Sequence, residues 1–474
     1  MLASRLLKLL QRWRPAFAQQ RTFERFITVL LWLLSAFGRR TVTAAFGFSG
    51  RTQEDWSADY YVFSRAAWEP ASLFEQVLKV GLSTREPRRF ISVAIDDTGK
   101  KKCGKSRGLT SWMKDPLSPP FHVNLQRGLR WVHAALLLQY HDQGQGCRAA
   151  SVAFELCPPV KKPGKNATEE EWKAYRRQKK QHNLSLTAAG IIEQLRHAAD
   201  EAGYTAKQLH VVVDGSYTNR NVISRLPERV DLTGRTGKNT VLHYPAAGDQ
   251  QPASGRRRIY GERLPTPEEI RQDTSIPYKT ASCYFGNGFR EIRYKEINKV
   301  LWPRGGKSRL LRLIIVAPIP YKAPGKTRRY YREPAYLLST DLESPIGEIL
   351  QAYLDRWQIE PLHRDLKDGL GLGQAQVWSD QSVKRLHSAI AATYAMLILA
   401  ALQTYGAERT EAFPALPAWR NKIKYKRASQ HDLITMLRND LLGDETLLPA
   451  IKEVPDVEMP PNWVLPARET YAAA

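Results

Sequence analysis

From the first residue to about residue 85 the apolar positions recur at helical spacing, in LLKLLQRW and again in FERFITVLLWLL, with basic residues between them. A period near 3.6 predicts a helical region over 1–87. Within it, 41–46 predicts a short helix. A turn containing Gly and Ser follows, and a second helix opens near Thr52 or Asp55, the outline of either a helix-turn-helix or a plain helical bundle. The pattern changes at Arg88. RRFISVAIDDT, GLRWVHAALLLQYHD and CRAASVAFELCP are short apolar runs of the kind that fill a buried sheet. A charged stretch, KKPGKNATEEEWKAYRRQKKQ, then separates them from an amphipathic helix, LTAAGIIEQLRHAADEAGY, and from a further apolar strand, QLHVVVDGSY.

From 241 to 340 the chain is rich in Gly, Pro, Arg and β-formers, and reads as a β-rich insertion with strands in CYFGNGFREIRYKEINKVLW, SRLLRLIIVAPIPY and EPAYLLST. A helix begins near Pro345, and a long apolar helix ends near Tyr405. The expected organisation is an α/β core in two parts, 88–240 and 341–410, with the insertion between them, the helical region 1–87 before it, and a helical tail, 411–474, that would serve dimerisation. The apolar runs 26–37 and 388–405 both need testing as membrane spans. The first is too short for a bilayer, which takes roughly 20 residues. The second carries Thr393 and Gln403, so both are expected as core helices and no membrane partner is expected.

Charge narrows the function. The 474 residues hold 71 Lys and Arg against 47 Asp and Glu, a net charge of +24. So basic a chain attracts polyanions, and a nucleic acid releases condensed counterions for each phosphate neutralised. With that excess, the helix-turn-helix outline makes 1–87 the expected DNA-binding region. Cys103, Cys147, Cys157 and Cys283 form no CxxC pair and have no close His at zinc-finger spacing. Free thiols in a reducing cytosol are therefore expected, without a structural zinc.

The chemistry concentrates in YLDRWQIEPLHRDLK. Tyr353, Arg356, Glu360 and Lys367 stand at offsets of three, seven and fourteen, within roughly 60° of one another around a continuous helix. One face thus carries a phenol, two cations and a carboxylate, suited to gripping a phosphate beside a metal ligand. Pro361 interrupts this geometry, because proline inside a helix removes a hydrogen bond and kinks the axis. A new helix opening there would carry Lys367 off the face.

This Tyr-x2-Arg-x3-Glu-x6-Lys spacing resembles the signature of the DDE transposases of the insertion sequence 4 superfamily, including their insertion sequence 701 relatives. The resemblance extends to a first Asp in D-x-T closing a strand and a second Asp closing a later one. Here these would be Asp96, in Asp96-Asp97-Thr98, and Asp214, in VVVDGSY. It implies an RNase H-like catalytic core with the β-rich insertion between the second Asp and the Glu. Asp96, Asp214 and Glu360 would be both catalytic residues and metal ligands. Asp97 is the alternative first ligand, although strand alternation points it to the other face.

Three carboxylates suffice for two Mg²⁺ ions, with Mn²⁺ as a substitute, because Mg²⁺ keeps several waters and few protein ligands. The function implied is cut-and-paste transposition. Double-stranded DNA at terminal inverted repeats and target DNA would be the partners, in a homodimer on DNA, through a hairpin intermediate, in a bacterial cytoplasm at the nucleoid. An RNase H-like nuclease without strand transfer, or a domesticated DNA-binding protein with an idle centre, shares these features.

Tyr353, Arg356 and Lys367 are the expected DNA contacts beside the cut. Lys101 and Lys105 extend them in the basic run after the first Asp. Trp302, near Arg304 and Lys307, is the expected platform for an extruded base.

Overall fold

The computed structural model describes residues 1–49, 53, 55–102, 109–115, 118–119, 121–158, 160–247, 255–306, 308–322, 328–416, 418–419 and 426–443. Five helices lead the chain: α1 (Leu2–Leu10), α2 (Gln20–Ser35), α3 (Val42–Ser49), α4 (Ser57–Ser64) and α5 (Pro70–Thr84). Then come β1 (Phe90–Lys101), β2 (Ser111–Lys114), β3 (Leu125–Gln139), β4 (Cys147–Leu156), α6 (Glu169–Gln181), α7 (Leu184–Glu201), β5 (Gln208–Val213), α8 (Arg220–Ile223) and β6 (Val230–Arg235). The β-rich stretch holds β7 (His243–Pro245), β8 (Tyr260–Arg263), α9 (Pro267–Gln272), β9 (Lys279–Tyr284), β10 (Phe289–Leu301), β11 (Leu310–Val316), β12 (Pro320–Lys322), β13 (Arg329–Tyr331) and β14 (Ala335–Ser339). The chain closes with α10 (Ile346–Asp355), α11 (Ile359–Arg364), α12 (Asp380–Tyr405) and α13 (Gln430–Gly443).

Twelve strands form one mixed sheet in the order β2-β3-β1-β5-β6-β14-β11-β10-β7-β8, with β4 also on β3 and β9 also on β10. At its centre β1, β5 and β6 run parallel, with Ile95 beside Val213 and Val213 beside Gly234. Their apolar runs are buried on both faces, as a parallel sheet requires. The fold is the expected α/β, RNase H-like core with helical flanks.

The expected insertion is β-rich but not separate. Thr233 to Arg235 of β6 pair with Leu337 to Ser339 of β14, and β14 pairs in turn with β11. An unpaired edge strand is a row of unsatisfied amides and carbonyls, and β14 satisfies that row by continuing the central sheet.

Nor do the N-terminal helices enclose a core of their own. One apolar cluster runs from Leu2, Phe26 and Val77 through Val93 and Val211 to Ala392 and Leu437. In α2 every residue from Phe26 to Ser35 is buried, the mark of an interior helix. α12 passes the length and apolarity test for a membrane span, yet 89% of its apolar window is buried inside the fold. Ser388 of α12 donates to the carbonyl of Phe154 in β4 at 2.8 Å, fixing the helix to the sheet.

α13 covers the C-terminal end of α2. There the Arg438 guanidinium donates to the carbonyls of Ser35 (2.7 Å) and Ala36 (2.9 Å), which have no partner within the helix. Of the expected tail, 444–474 lies outside the described residues.

The β1–β3 contact is tight at Gly128, where a Cβ would stand 2.3 Å from the backbone oxygen of Lys100. Gly190 in α7, by contrast, has nothing within 4 Å of the same position. Gly128→Ala should therefore destabilise the protein by about 1–3 kcal/mol. Gly190→Ala should leave it unchanged or stabilise it by about 0.5–1 kcal/mol. Thermal melts of the two variants check this, and equal melting temperatures would refute the packing described.

Candidate active site

β1 runs through Asp96 and Asp97 without a break, so its alternation sends the two carboxylates to opposite faces. Asp97 is engaged structurally. It accepts from Arg130 Nε at 2.7 Å and from the Tyr217 hydroxyl at 3.1 Å. Asp96 faces the other way, toward Asp214 and Arg356. Burial pushes its carboxyl up to about 6; the neighbouring Asp214 adds to the rise, and Arg356 opposes it.

Asp214 follows the last residue of β5, at the carboxyl edge where parallel strands build their sites. The amide of Ser216 (3.0 Å) and its hydroxyl (2.7 Å) both donate to Asp214 Oδ1, so this Asp also shapes the turn.

The helix bearing the Tyr-Arg-Glu-Lys spacing is not continuous. α10 ends at Asp355, Arg356–Gln358 form a tight 3₁₀ turn, α11 carries Glu360, and Asp365–Gly369 form a π turn. The break thus precedes Pro361, which lies in the first turn of α11, where a missing amide is tolerated. The angular reading of one straight helix is corrected accordingly.

The side chains converge nonetheless. Arg356 lies between two carboxylates, with Nη1 3.9 Å from Asp96 Oδ2 and Nη2 3.5 Å from Glu360 Oε1. Its guanidinium is 5.8 Å from the Tyr353 ring centre, and its Nε is buried without a hydrogen-bond partner. Burial raises the Tyr353 hydroxyl, against the cations Arg356 and Arg235. Lys367, in the π turn, is also on this side. Burial lowers its ammonium and Lys100 adds to the effect, while Asp96 and Asp97 are close enough to oppose it.

The structure brings Asp96, Asp214, Tyr353, Arg356 and Lys367 near one another, and Glu360 joins them through Arg356. Lys101 is exposed at the end of β1, whereas Lys105, like Cys103, lies outside the described residues. Cys147, Cys157 and Cys283 are free.

Trp302 is not brought to the carboxylates. It follows β10, four strands from β5, or roughly 19 Å at the usual spacing between strands. Its ring is half-buried against two apolar clusters. The backbone of Gly305 covers it so closely that a Cβ there would stand 1.9 Å away. Trp302 packs its own loop, with Gly305 against one part of the indole. Arg304 is exposed, and Lys307 lies outside the described residues.

The reading of the sequence missed two features. A cleft of about 1070 Å³ adjoins Tyr353 and Arg356, with Trp357, Tyr331, Arg332 and Arg427 also on its walls. Trp357 is 52% exposed. It stands inside the signature spacing, but only the fold reveals that its ring faces solvent. Beside Asp96, whose partner across the β1–β3 pair is His133, the rings of His133 and His363 lie 5.0 Å apart. Burial keeps both imidazoles neutral, that of His363 down to about 3.

Asp96 and Asp214 thus stand side by side just beyond the last pair of the β1–β5 ladder. A family model for DDE superfamily endonucleases matches residues 15–309. The chain belongs to that superfamily. No curated protein matches it. The matched range includes Asp96 and Asp214 and stops before Glu360. A DDE endonuclease acts on DNA, and the superfamily works with divalent metal ions.

The donor set of this chain suits such an ion. It is all oxygen, and Asp96 is held above the usual carboxylate range by a burial cost and a like charge that a dication would offset. Among the described residues, however, no three His, Cys, Asp or Glu side chains stand close enough to enclose a metal. The three carboxylates form an open set, with Arg356 between Asp96 and Glu360.

Folding favours the protonated form of Asp96, so its contribution to stability is complete below about pH 3.8 and is lost as pH rises through about 6. In chelator-treated buffer, Asp96→Asn should be more stable than the wild type at pH 7 by about 1–3 kcal/mol. The advantage should vanish below about pH 4. Thermal melts at the two pH values check it. A variant less stable than the wild type at pH 7 would show that Asp96 is not strained by its surroundings.

Proposed function

We propose that this endonuclease is a DNA transposase of the insertion sequence 701-like kind, which excises an element and joins its ends to a target. The observation that carries the reading is that Asp96 and Asp214 each follow the last pair of the parallel β1–β5 ladder, with Arg356 reaching from Asp96 to Glu360. Asp96, Asp214 and Glu360 would hold two Mg²⁺ ions, or Mn²⁺ in their place. Such a pair, when bound, activates the attacking oxygen and stabilises the leaving one in an in-line displacement at phosphorus.

The other residues orient the DNA. Arg356 has an unpartnered buried Nε, and with Lys367 it supplies donors for the non-bridging oxygens beside the scissile bond. Tyr353 limits how far the guanidinium can swing. Excision through a hairpin would leave an unpaired nucleotide at the bend. The cleft beside Arg356, with its exposed Trp357, supplies aromatic surface for it. Two ends handled together imply a homodimer on the terminal inverted repeats, and the work belongs in a bacterial cytoplasm at the nucleoid.

Loss of an outer-shell group at a metal site already costs about 10- to 100-fold. Asp96→Ala, Asp214→Ala and Glu360→Ala should each lower Mg²⁺-dependent cleavage of element ends by at least about 100-fold, with end binding retained. Asp97→Ala should keep the chemistry and melt lower, through the loss of its Arg130 and Tyr217 bonds. A pre-cut end with a free 3′-hydroxyl should be joined to target DNA. Cleavage without joining would leave an RNase H-like nuclease, and full activity in any of the three ligand variants would remove that residue from the site.

A further inference from the structure

α6 is a 13-residue helix with no buried residue. Helices in folded proteins draw most of their stability from a packed face, and one of this length is marginal alone in water. α6 is held by local devices. Thr168 and Glu171 form a capping box, Arg176 pairs with Glu169, and the Trp172 and Tyr175 rings meet edge-on at 5.8 Å.

Its charge is polarised. From 161 to 180 there are eight Lys and Arg against three Glu, and the three Glu all lie in the first turn of α6, where they favour the helix dipole. At 100° per residue, Lys173, Arg176, Arg177 and Lys180 fall within roughly 100° of one another. All four are exposed.

The position of this arm gives the basic face a target. The chain leaves the sheet where Glu155 of β4 stands opposite Val132, and Val132 opposite Asp97. Just beyond, the Cys157 amide donates to the carbonyl of Arg130, the residue that holds Asp97. The chain returns through Ser185, whose hydroxyl accepts from Asn219 Nδ2 at 2.9 Å. The same Nδ2 donates at 2.7 Å to the carbonyl of Ser216, the residue bonded to Asp214. Thr187 donates to Cys157 Sγ at 3.7 Å and ties the two ends of the arm together. The α6 arm is therefore rooted at one end on the Asp97 face of β1 and at the other beside the turn that follows Asp214.

We infer that the α6 arm grips the backbone of duplex DNA beside the cut, through the face carrying Lys173, Arg177 and Lys180. The grip is on phosphates, so it adds affinity and orientation without reading sequence. It rests on the DNA-cutting reading of the site and adds to it a surface outside the Tyr-Arg-Glu-Lys segment. Arg176 is left out of the test because it already pairs with Glu169.

The test uses the full chain and a labelled blunt duplex of random sequence, titrated across a salt series. The triple variant Lys173→Ala, Arg177→Ala, Lys180→Ala should keep the melting temperature, since none of the three is buried and Ala favours a helix. The slope of log affinity against log salt should become shallower by about 3 units, close to one for each phosphate that the variant no longer neutralises. An unchanged slope overturns the inference while leaving the proposed function intact. An unchanged slope with loss of self-association would instead assign α6 to a second copy, whose groove bearing Glu75, Glu155, Glu193 and Glu201 has the opposite charge. Failure of the wild type to bind the duplex at all would overturn the proposed function itself.

Discussion

Two carboxylates set side by side on neighbouring strands repel each other, and a low-dielectric setting makes the repulsion stronger. The parallel register that sets Ile95 beside Val213 imposes this on Asp96 and Asp214, since each is the next residue in its strand direction. Apolar strands buried on both faces hold the register, and a one-residue slip would carry every core side chain to the opposite face and spoil its packing. The energy stored in Asp96 is therefore supplied by the core, which cannot relax without unfolding. Arg356 offsets part of it and leaves one buried donor unused.

The helices behind the sheet hold the catalytic segment in place. Arg40, just beyond the end of α2, donates to the carbonyl of Leu33 and to that of Gly369 at the end of the π turn, both at 3.0 Å. Asp355, immediately before Arg356, accepts from His141 Nε2 and Gln139 Nε2, both at 2.8 Å, and from Gln351 at 3.2 Å. The segment from 353 to 367 is thus anchored on both sides of its break. A broken helix can hold Arg356 and Lys367 on one side of the sheet because each piece is fixed separately.

The parts of this arrangement set by local pattern could be read from the sequence. The strands around Asp96 and Asp214 show as apolar runs ending in acids, the helix α2 as an apolar stretch too short for a membrane, and Tyr353, Arg356, Glu360 and Lys367 as a spacing. What escaped depends on pairing between distant segments. Nothing in EPAYLLST says that it continues the sheet beside β6, and nothing around Trp302 says that Gly305 will cover its ring. Pro361 marked the helix break within a few residues, but the 3₁₀ turn lies before it, next to Asp355, whose partners His141 and Gln139 come from a distant part of the chain. The charged stretch at 161–181 read only as a separator between strands and a helix, and α6 forms in it with no buried residue.

The central claim is that Asp96, Asp214 and Glu360 share one metal site, although Glu360 lies beyond the matched family range and meets Asp96 only through Arg356. Iron(II) loaded in place of Mg²⁺, with peroxide and ascorbate, generates radicals at the bound ion and cuts the polypeptide nearest to it. Mapping the fragments tests the claim directly. The account predicts cuts grouped near residues 96, 214 and 360, all suppressed together by excess Mg²⁺; cuts near 96 and 214 with none near 360, or cuts grouped elsewhere, would contradict it.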